Sequence, residues 1–374
     1  MRVVLVCHHA LPHIGGVEVL VDQEIRALEA AGHSVVVITS DGSGAGAAPS
    51  YSTKVRVERL AAWHTLERRW QIPYPTFSPV LLFKLWREIG RCDVVHAHGF
   101  IFMNSALSLL IAWLRGKPGI LTDHGGIQRF RSRFVTILAR LAIETVGRMS
   151  ARTASRLVTY NSRIGKLLER LSGTTDKSLF LPNPIAHELF CPATEQMRKA
   201  ARISLGWPID RQKVLFVGRL IEEKGVLLLL QARDPAYDLV FCGPGDPAVL
   251  GNPIPPGIQY LGARPRAEIV SLYHAADVLV VPSDVREGFP VVVQEGLACG
   301  LPVVLTYEEG FEPYRGLEGL TMCDRTPDAL RSAIKRSLSN RGTATSERMD
   351  SSLGFIPSPE EWLGRLYELT STGK

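Results

Sequence analysis

The chain has 374 residues, 45% hydrophobic and 21% charged, with a formal net charge of +6 and an isoelectric point near 9.0. This composition excludes a disordered or fibrous chain, and the length suits two hydrophobic cores better than one. The positive balance favours an anionic partner, be it nucleotide diphosphate, phospholipid headgroup or nucleic acid, without choosing among them.

In chain order, Arg2–Cys7 is predicted as a strand, followed by the loop His8–Gly16 and a helix from about Val17 to Ala31. Val17, Leu20, Val21, Ile25 and Leu28 recur at helical spacing, and Gly32 ends the helix before a strand over Ser34–Thr39. Strand, glycine loop, helix, strand is a βαβ unit. Buried strands at Val94–Ala97, Gly119–Thr122 and Leu157–Tyr160 extend it into a parallel sheet covered by helices. From Ser43 to Gly90 no diagnostic pattern is found.

The second half repeats this grammar: a strand at Lys213–Val217, a loop Gly218–Gly225 and a short helix Val226–Ala232. Strands at Leu239–Cys242, Gln259–Leu261, Val278–Val281 and Pro302–Leu305 follow, with helices Ala267–Ala275 and Val291–Ala298 between them. Two nucleotide-type folds in tandem are expected. The polar stretch Asn340–Ser352 is expected to be a surface loop.

Arg2 leads straight into a strand, which leaves no room for a signal peptide. The longest apolar stretch, Ala106–Leu114, is shorter than the roughly 20 residues a membrane span needs. Cys7, Cys92, Cys191, Cys242, Cys299 and Cys323 are scattered without a C-x-x-C pair, as expected of thiols in a reducing compartment. A cytoplasmic protein, able to sit at the inner face of the membrane, is expected.

The most informative segment is residues 284–303, DVREGFPVVVQEGLACGLPV. Glu287 falls in a loop and Glu295 in the helix that Pro290 opens, so two carboxylates stand above the strand ends. Val291, Val292, Val293, Leu297 and Ala298 mark that helix as buried, so Glu295 needs a polar partner. With the trailing Gly296, Ala298, Gly300, Pro302 and Val303, the segment resembles the Glu-x7-Glu signature of retaining GT-B glycosyltransferases, glycosyltransferase family 4 (glycosyl transferases group 1). The resemblance covers nearly the whole chain and is weakest from Ser43 to Gly90 and from Leu305 to Ser352.

It implies an α/β GT-B fold, two Rossmann-like domains facing a central cleft. The first is expected over 1–185, with a crossing helix about 357–374, and the second, which binds the nucleotide sugar, over 186–356. The join falls near Leu181-Pro182-Asn183-Pro184, where Pro184 departs from the usual glycine.

The same resemblance implies the site. In Phe216–Gly225, Arg219 and Lys224 would meet the donor diphosphate, with Gly218 and Gly225 permitting close backbone approach. Gly15 and Gly16 would turn backbone N–H groups at a helix start toward donor phosphate or sugar. Gly243 and Gly245 would line the nucleotide pocket, and the loop Gly262–Arg266, with Arg264, would meet the base. Glu295 would accept from the ribose hydroxyls. Glu287 would bind the transferred sugar, with Gly288, Phe289 and Pro290 beside it, and His124 would contact that sugar and its reacting centre.

Proteins stabilise a leaving diphosphate with a divalent metal or with fixed cations. No Asp-x-Asp occurs, so no metal and no other cofactor is expected, the nucleotide-diphosphate sugar being a co-substrate. His96 and His98 are expected to point to opposite faces of a strand and so not to share a metal. Nothing nominates the nucleophilic carboxylate that double displacement requires. The resemblance implies retention by a front-face route.

On the acceptor side, Arg129, Arg131, Arg133, Arg140, Arg148, Arg152 and Arg156 interleave with Phe134, Ile137, Leu138, Leu141 and Ile143. Such a segment can lie on an anionic membrane surface or form a core-facing helix with a solvated arginine face. Trp63, Trp70, Tyr74, Phe77, Phe83 and Trp86 add aromatic surface. The expected partners are a UDP- or GDP-sugar donor and a glycan, glycolipid or lipid-linked acceptor; no motif supports nucleic acid. The alternatives are a non-hydrolysing sugar-nucleotide epimerase and a non-catalytic nucleotide-sugar-binding protein.

Overall fold

The computed structural model describes residues 1–13, 16–42, 48–65, 74–125, 133–283, 288–340 and 354–367. They divide into two units, one within Met1–Asn183, Arg286–Gly288 and Pro359–Lys374, the other within Pro184–Val285 and Phe289–Ser358.

The first unit is built on the valine-rich strand β1 (Arg2–Val6), in which Val3–Val6 have no solvent exposure. A strand covered on both faces reads as a continuous apolar run, and β1 sits inside a parallel sheet for that reason. Beside it lie β2 (Ser34–Ser40) and β3 (Val55–Leu60); a short antiparallel ribbon, β4 (Ala62–Trp63) with β5 (Thr76–Phe77), stands apart. On the other side come β6 (Val94–His98), β7 (Gly119–Thr122), β8 (Arg156–Thr159) and β9 (Ser178–Phe180). The order is β3-β2-β1-β6-β7-β8-β9, all parallel, with Val4 opposite both Val36 and Val95. Strand order reverses about β1, so the loops after β1, β6 and β7 open at the sheet's C-terminal ends, where ligands bind in such sheets.

Helices cover both faces. On one lie α2 (Val80–Ile89), α3 (Met103–Leu114), α5 (Arg148–Thr153) and α6 (Ser162–Ser172), while α4 (Arg133–Ala142) leads into the π-turn Ile143–Gly147 before α5. Leu81, Leu85, Leu109, Ala112, Ala151 and Leu168 fill that core. On the other, α1 (Gly16–Ala30) presents Val21, Ile25 and Leu28 to Trp362, Leu363, Leu366 and Tyr367 of the last helix.

The second unit has α7 (Glu195–Ser204), β10 (Gln212–Val217), α8 (Val226–Gln231), β11 (Tyr237–Cys242), β12 (Ile258–Tyr260), α9 (Arg266–Ala275) and β13 (Val278–Val281). They are followed by α10 (Val291–Ala298), β14 (Val303–Thr306), β15 (Leu320–Cys323) and α11 (Pro327–Ser339). The parallel order β12-β11-β10-β13-β14-β15 reverses about β10. A Cβ on Gly296 would meet Leu279 Cδ2 at 2.7 Å, so that glycine lets α10 sit directly on the sheet. The last helix, α12 (Pro359–Tyr367), belongs with the first unit. Among the described residues no helix is long and apolar enough to cross a membrane.

Candidate functional site

In the second unit the loops after β10 and β11 are stitched backbone to backbone. Gly218 N donates to Cys242 O at 2.9 Å and Leu220 N to Pro244 O at 2.8 Å, with Leu220 bridged to Gly245. Gly243 has φ 143°, and a Cβ there would lie 2.0 Å from Gly218 O, so only glycine permits the approach. Gly225, at φ 75°, would collide with Pro282 O at 1.9 Å. The close backbone approach that these glycines permit is thus made first to neighbouring loops. Arg219 is exposed beyond the end of β10, and Lys224 is half-buried at the end of the single 3-10 turn Glu222–Lys224. Arg264 is exposed, donating from Nε to Leu261 O at 3.1 Å and pairing with Glu268 at 3.2 Å.

Glu295 is 7% exposed on α10, and its carboxylate is held from two sides. Arg266 donates to Oε1 at 2.8 Å and the Tyr273 hydroxyl to Oε2 at 2.9 Å, both from α9. Burial raises its pKa, and Arg266 and Tyr273 oppose that rise. The polar partner required by a buried carboxylate is therefore this pair, and two lone pairs remain for a ligand. Pro290 stands at the N-cap of α10. Phe289 is buried, its ring stacked on Tyr314 at 3.5 Å, so its side chain serves the core.

In the first unit, His124 follows β7 and enters a chain of buried side chains. His124 Nε2 lies 2.8 Å from His98 Nδ1, and His124 Nδ1 lies 3.0 Å from the Tyr160 hydroxyl, which donates to His124 O at 2.8 Å. Beyond His98 stands Glu24 of α1, with Oε2 3.2 Å from His98 Nε2 and Oε1 2.6 Å from His96 Nδ1. The Tyr367 hydroxyl donates to the same Oε1 at 2.7 Å. Burial pushes the Glu24 carboxyl up, but His96 and His98 more than offset it and hold it below the ordinary range. Burial, with the neighbouring histidines, lowers His98 and His124. Gly288, which groups with this unit, packs on the chain's outer end: its Cβ would sit 2.2 Å from the Tyr160 ring, and Asn161 Nδ2 donates to its carbonyl at 2.7 Å.

His96 and His98 do not point to opposite faces. Alternate residues of a strand share one face, and the two rings lie 4.2 Å apart over the same carboxylate. Glu24, His96 and His98 put three ligand-type atoms within 4.8 Å of one another. His96 Nδ1 also lies 2.6 Å from Glu24 Oε1 and its Nε2 2.7 Å from Thr122 Oγ1.

Gly16 is exposed at the start of α1 with open space about it. Gly15, Glu287, Arg129, Arg131, Trp70 and most of the loop expected over 340–352 lie outside the described residues. Phe77 is not surface but 4% exposed in the core. Trp63, Phe83 and Trp86 are exposed, as are Ile137, Leu138 and Leu141 on α4. Sequence reasoning missed Glu24, Tyr160, Arg266 and Tyr273 as partners of the named residues. The one available signal was the demand that a buried Glu295 places on its surroundings.

Two family models match: "Glycosyltransferase Family 4" over residues 14–189 and "Glycosyl transferases group 1" over residues 211–340. Among curated proteins, the chain is 34% identical over 174 residues to the D-inositol 3-phosphate glycosyltransferase of Corynebacterium urealyticum, covering 41% of each. It is 28% identical over 272 residues to a putative teichuronic acid biosynthesis glycosyltransferase of Bacillus subtilis, covering 72% of this chain and 67% of that one. The first of these matches thus spans less than half of the relative. Among solved structures, sucrose-phosphate synthase of Thermosynechococcus elongatus superposes over 100% of both chains with TM-score 0.74 at 21% identity. Anabaena HepE, solved in complex with UDP, does so over 100% of both with TM-score 0.76 at 17% identity.

Proposed function

The chain belongs to the group 1, family 4 glycosyltransferases and has their GT-B fold; on that premise we propose that it moves a hexosyl group from a UDP- or GDP-sugar to a hydroxyl of a glycan, glycolipid or lipid-linked acceptor. The observation that carries this reading is Arg219, exposed at the end of β10 beside the turn that holds Lys224, at the strand-order reversal of a parallel sheet. Fixed cations there would take up the charge that grows on the departing diphosphate, so the reaction would need no metal. Glu295, oriented by Arg266 and Tyr273, would accept from the ribose hydroxyls. Glu287 and His124 would hold the transferred sugar. The curated relatives are named D-inositol 3-phosphate glycosyltransferase and teichuronic acid biosynthesis glycosyltransferase, names that support a hydroxyl acceptor.

Retention would follow a front-face route, in which the departing phosphate assists deprotonation of the acceptor hydroxyl. The test is a panel of nucleotide sugars screened by thermal shift, since a ligand of the folded state raises apparent stability. One donor should raise the melting temperature of the wild type. In Arg219→Ala, turnover of that donor should fall by about 100-fold or more. An unchanged rate would count against the role given to Arg219.

The exposed Ile137, Leu138 and Leu141, on the helix that carries Arg140, would rest on an anionic membrane. Binding to anionic liposomes should weaken as salt rises, whereas equal binding to neutral vesicles would contradict this.

A further inference from the structure

The chain Glu24–His98–His124–Tyr160 has a direction, because only one of its members is an anion. Glu24 Oε1 already receives two donors, the Tyr367 hydroxyl and His96 Nδ1. Its Oε2 and His98 Nε2 face each other at 3.2 Å, off the line of a well-formed hydrogen bond, and neither has another hydrogen-bond partner among the described residues. A proton on His98 Nε2 makes this contact attractive, whereas a bare Nε2 would set its lone pair against the carboxylate 3.2 Å away. A neutral His98 then has a bare Nδ1, and that nitrogen lies 2.8 Å from His124 Nε2. The proton between the two rings therefore belongs to His124.

We propose that Glu24 and His98 are positioning residues that hold His124 as its Nε2–H tautomer, with the bare Nδ1 and the His124 carbonyl sharing the one proton of the Tyr160 hydroxyl, 3.0 and 2.8 Å away. The stacked geometry supports this, since the His98 and His124 rings lie within 14° of parallel at 5.1 Å. The carboxylate acts through one imidazole on the next, as a buried carboxylate fixes the tautomer of a catalytic histidine one bond away. Tyr367 brings the last helix into this arrangement by fixing which oxygen of Glu24 faces His98. The functional consequence rests on His124 serving the transferred sugar as proposed above; the tautomer itself does not.

Glu24→Gln is the discriminating variant. Two donors converge on Oε1, so the glutamine carbonyl takes that place and its NH2 is forced toward His98 Nε2. That nitrogen must then be bare, the His98 proton moves to Nδ1, and His124 is left with its proton on Nδ1. The tautomer of both rings inverts while their positions persist.

Long-range 15N–1H spectra of the labelled protein, with His124 assigned by the resonance lost in His124→Gln, read this directly. The wild type should show His124 protonated at Nε2, and Glu24→Gln should show it at Nδ1. An Nδ1–H tautomer in the wild type overturns the proposal even if the variant does not fold, and an unchanged tautomer in a folded Glu24→Gln overturns it too. With the donor found by thermal shift, kcat in Glu24→Gln should fall by about 100-fold or more while KM stays within about threefold. If the spectra agree but the wild type turns over no donor, the proposed function fails and the tautomer assignment stands.

Discussion

At the scale of single residues, His8, His98 and His124 are neutral groups that unfolding would release to water. Burial is the main cause in each case, with neighbouring histidines adding to it, and His8 is lowered to about 3 from an ordinary value of 6.5. Below about pH 6.5 the unfolded chain binds protons at these positions that the native state refuses, so stability falls with pH down to the folded values. Glu24 acts in the same direction at lower pH. Its depressed folded pKa gives stability that is present above the ordinary 4.5 and lost as pH falls toward the folded value. The urea midpoint should therefore drop between about pH 7.5 and about pH 5.5, with a shallower slope in His8→Gln. A midpoint constant over that range would contradict the burial of neutral histidines. None of this chain was legible as a unit, because Glu24, His98, His124 and Tyr160 come from four separate elements. His96 and His98 are two apart on one strand, and that period puts both on the face where Glu24 lies.

At the scale of elements, the second unit depends on one buried cation. Arg202 of α7 is 1% exposed; Nε donates to Ala275 O, Nη1 to the carbonyls of Pro208, Ile209 and Arg211, and Nη2 to Asp277. Asp277 also accepts from Arg198 and from Lys213 N at 2.7 Å, so one guanidinium fastens α7 to the end of α9 and the starts of β10 and β13. Arg202→Ala would leave Asp277 its Arg198 partner but strip the carbonyls of Ala275, Pro208, Ile209 and Arg211 of their donor, and should cost about 1–3 kcal/mol by urea unfolding. Lysine should rescue little, lacking the planar fork. A loss under about 1 kcal/mol would show that water replaces the guanidinium.

The same helix shows why some elements could not be read from the sequence. Only Arg202 of α7 is buried, so no apolar stripe announces it. In β3, Arg56 and Glu58 alternate with Val55 and Val57 and pair with Glu88 and Lys84, which hides an edge strand behind its ion pairs. By contrast, α10 and β13 match their expected bounds because continuous valine runs leave no alternative. Helix α11 carries a signal legible in the sequence, with Thr326 capping it and Leu330, Ala333, Ile334 and Leu338 on its buried face.

At the scale of the whole molecule, two parallel sheets each reverse strand order once, about β1 and about β10. The residues proposed for chemistry stand at the C-terminal ends of strands near those reversals, His124 after β7 and Arg219 after β10. The sequence motifs located these loops. They did not reveal that Gly225 and Gly243 are required by contact with other loops, since a glycine in a line of sequence does not say what approaches it.

The central claim is transfer of a hexosyl group with retention, and the anomeric proton of the product reports it most directly. Given the α-linked nucleotide sugar that gives the largest thermal shift and a hydroxyl acceptor, NMR should show an α-glycoside as the first product, strongly diminished in Arg219→Ala. A β-glycoside as first product, or donor epimerised without an acceptor, would contradict the account.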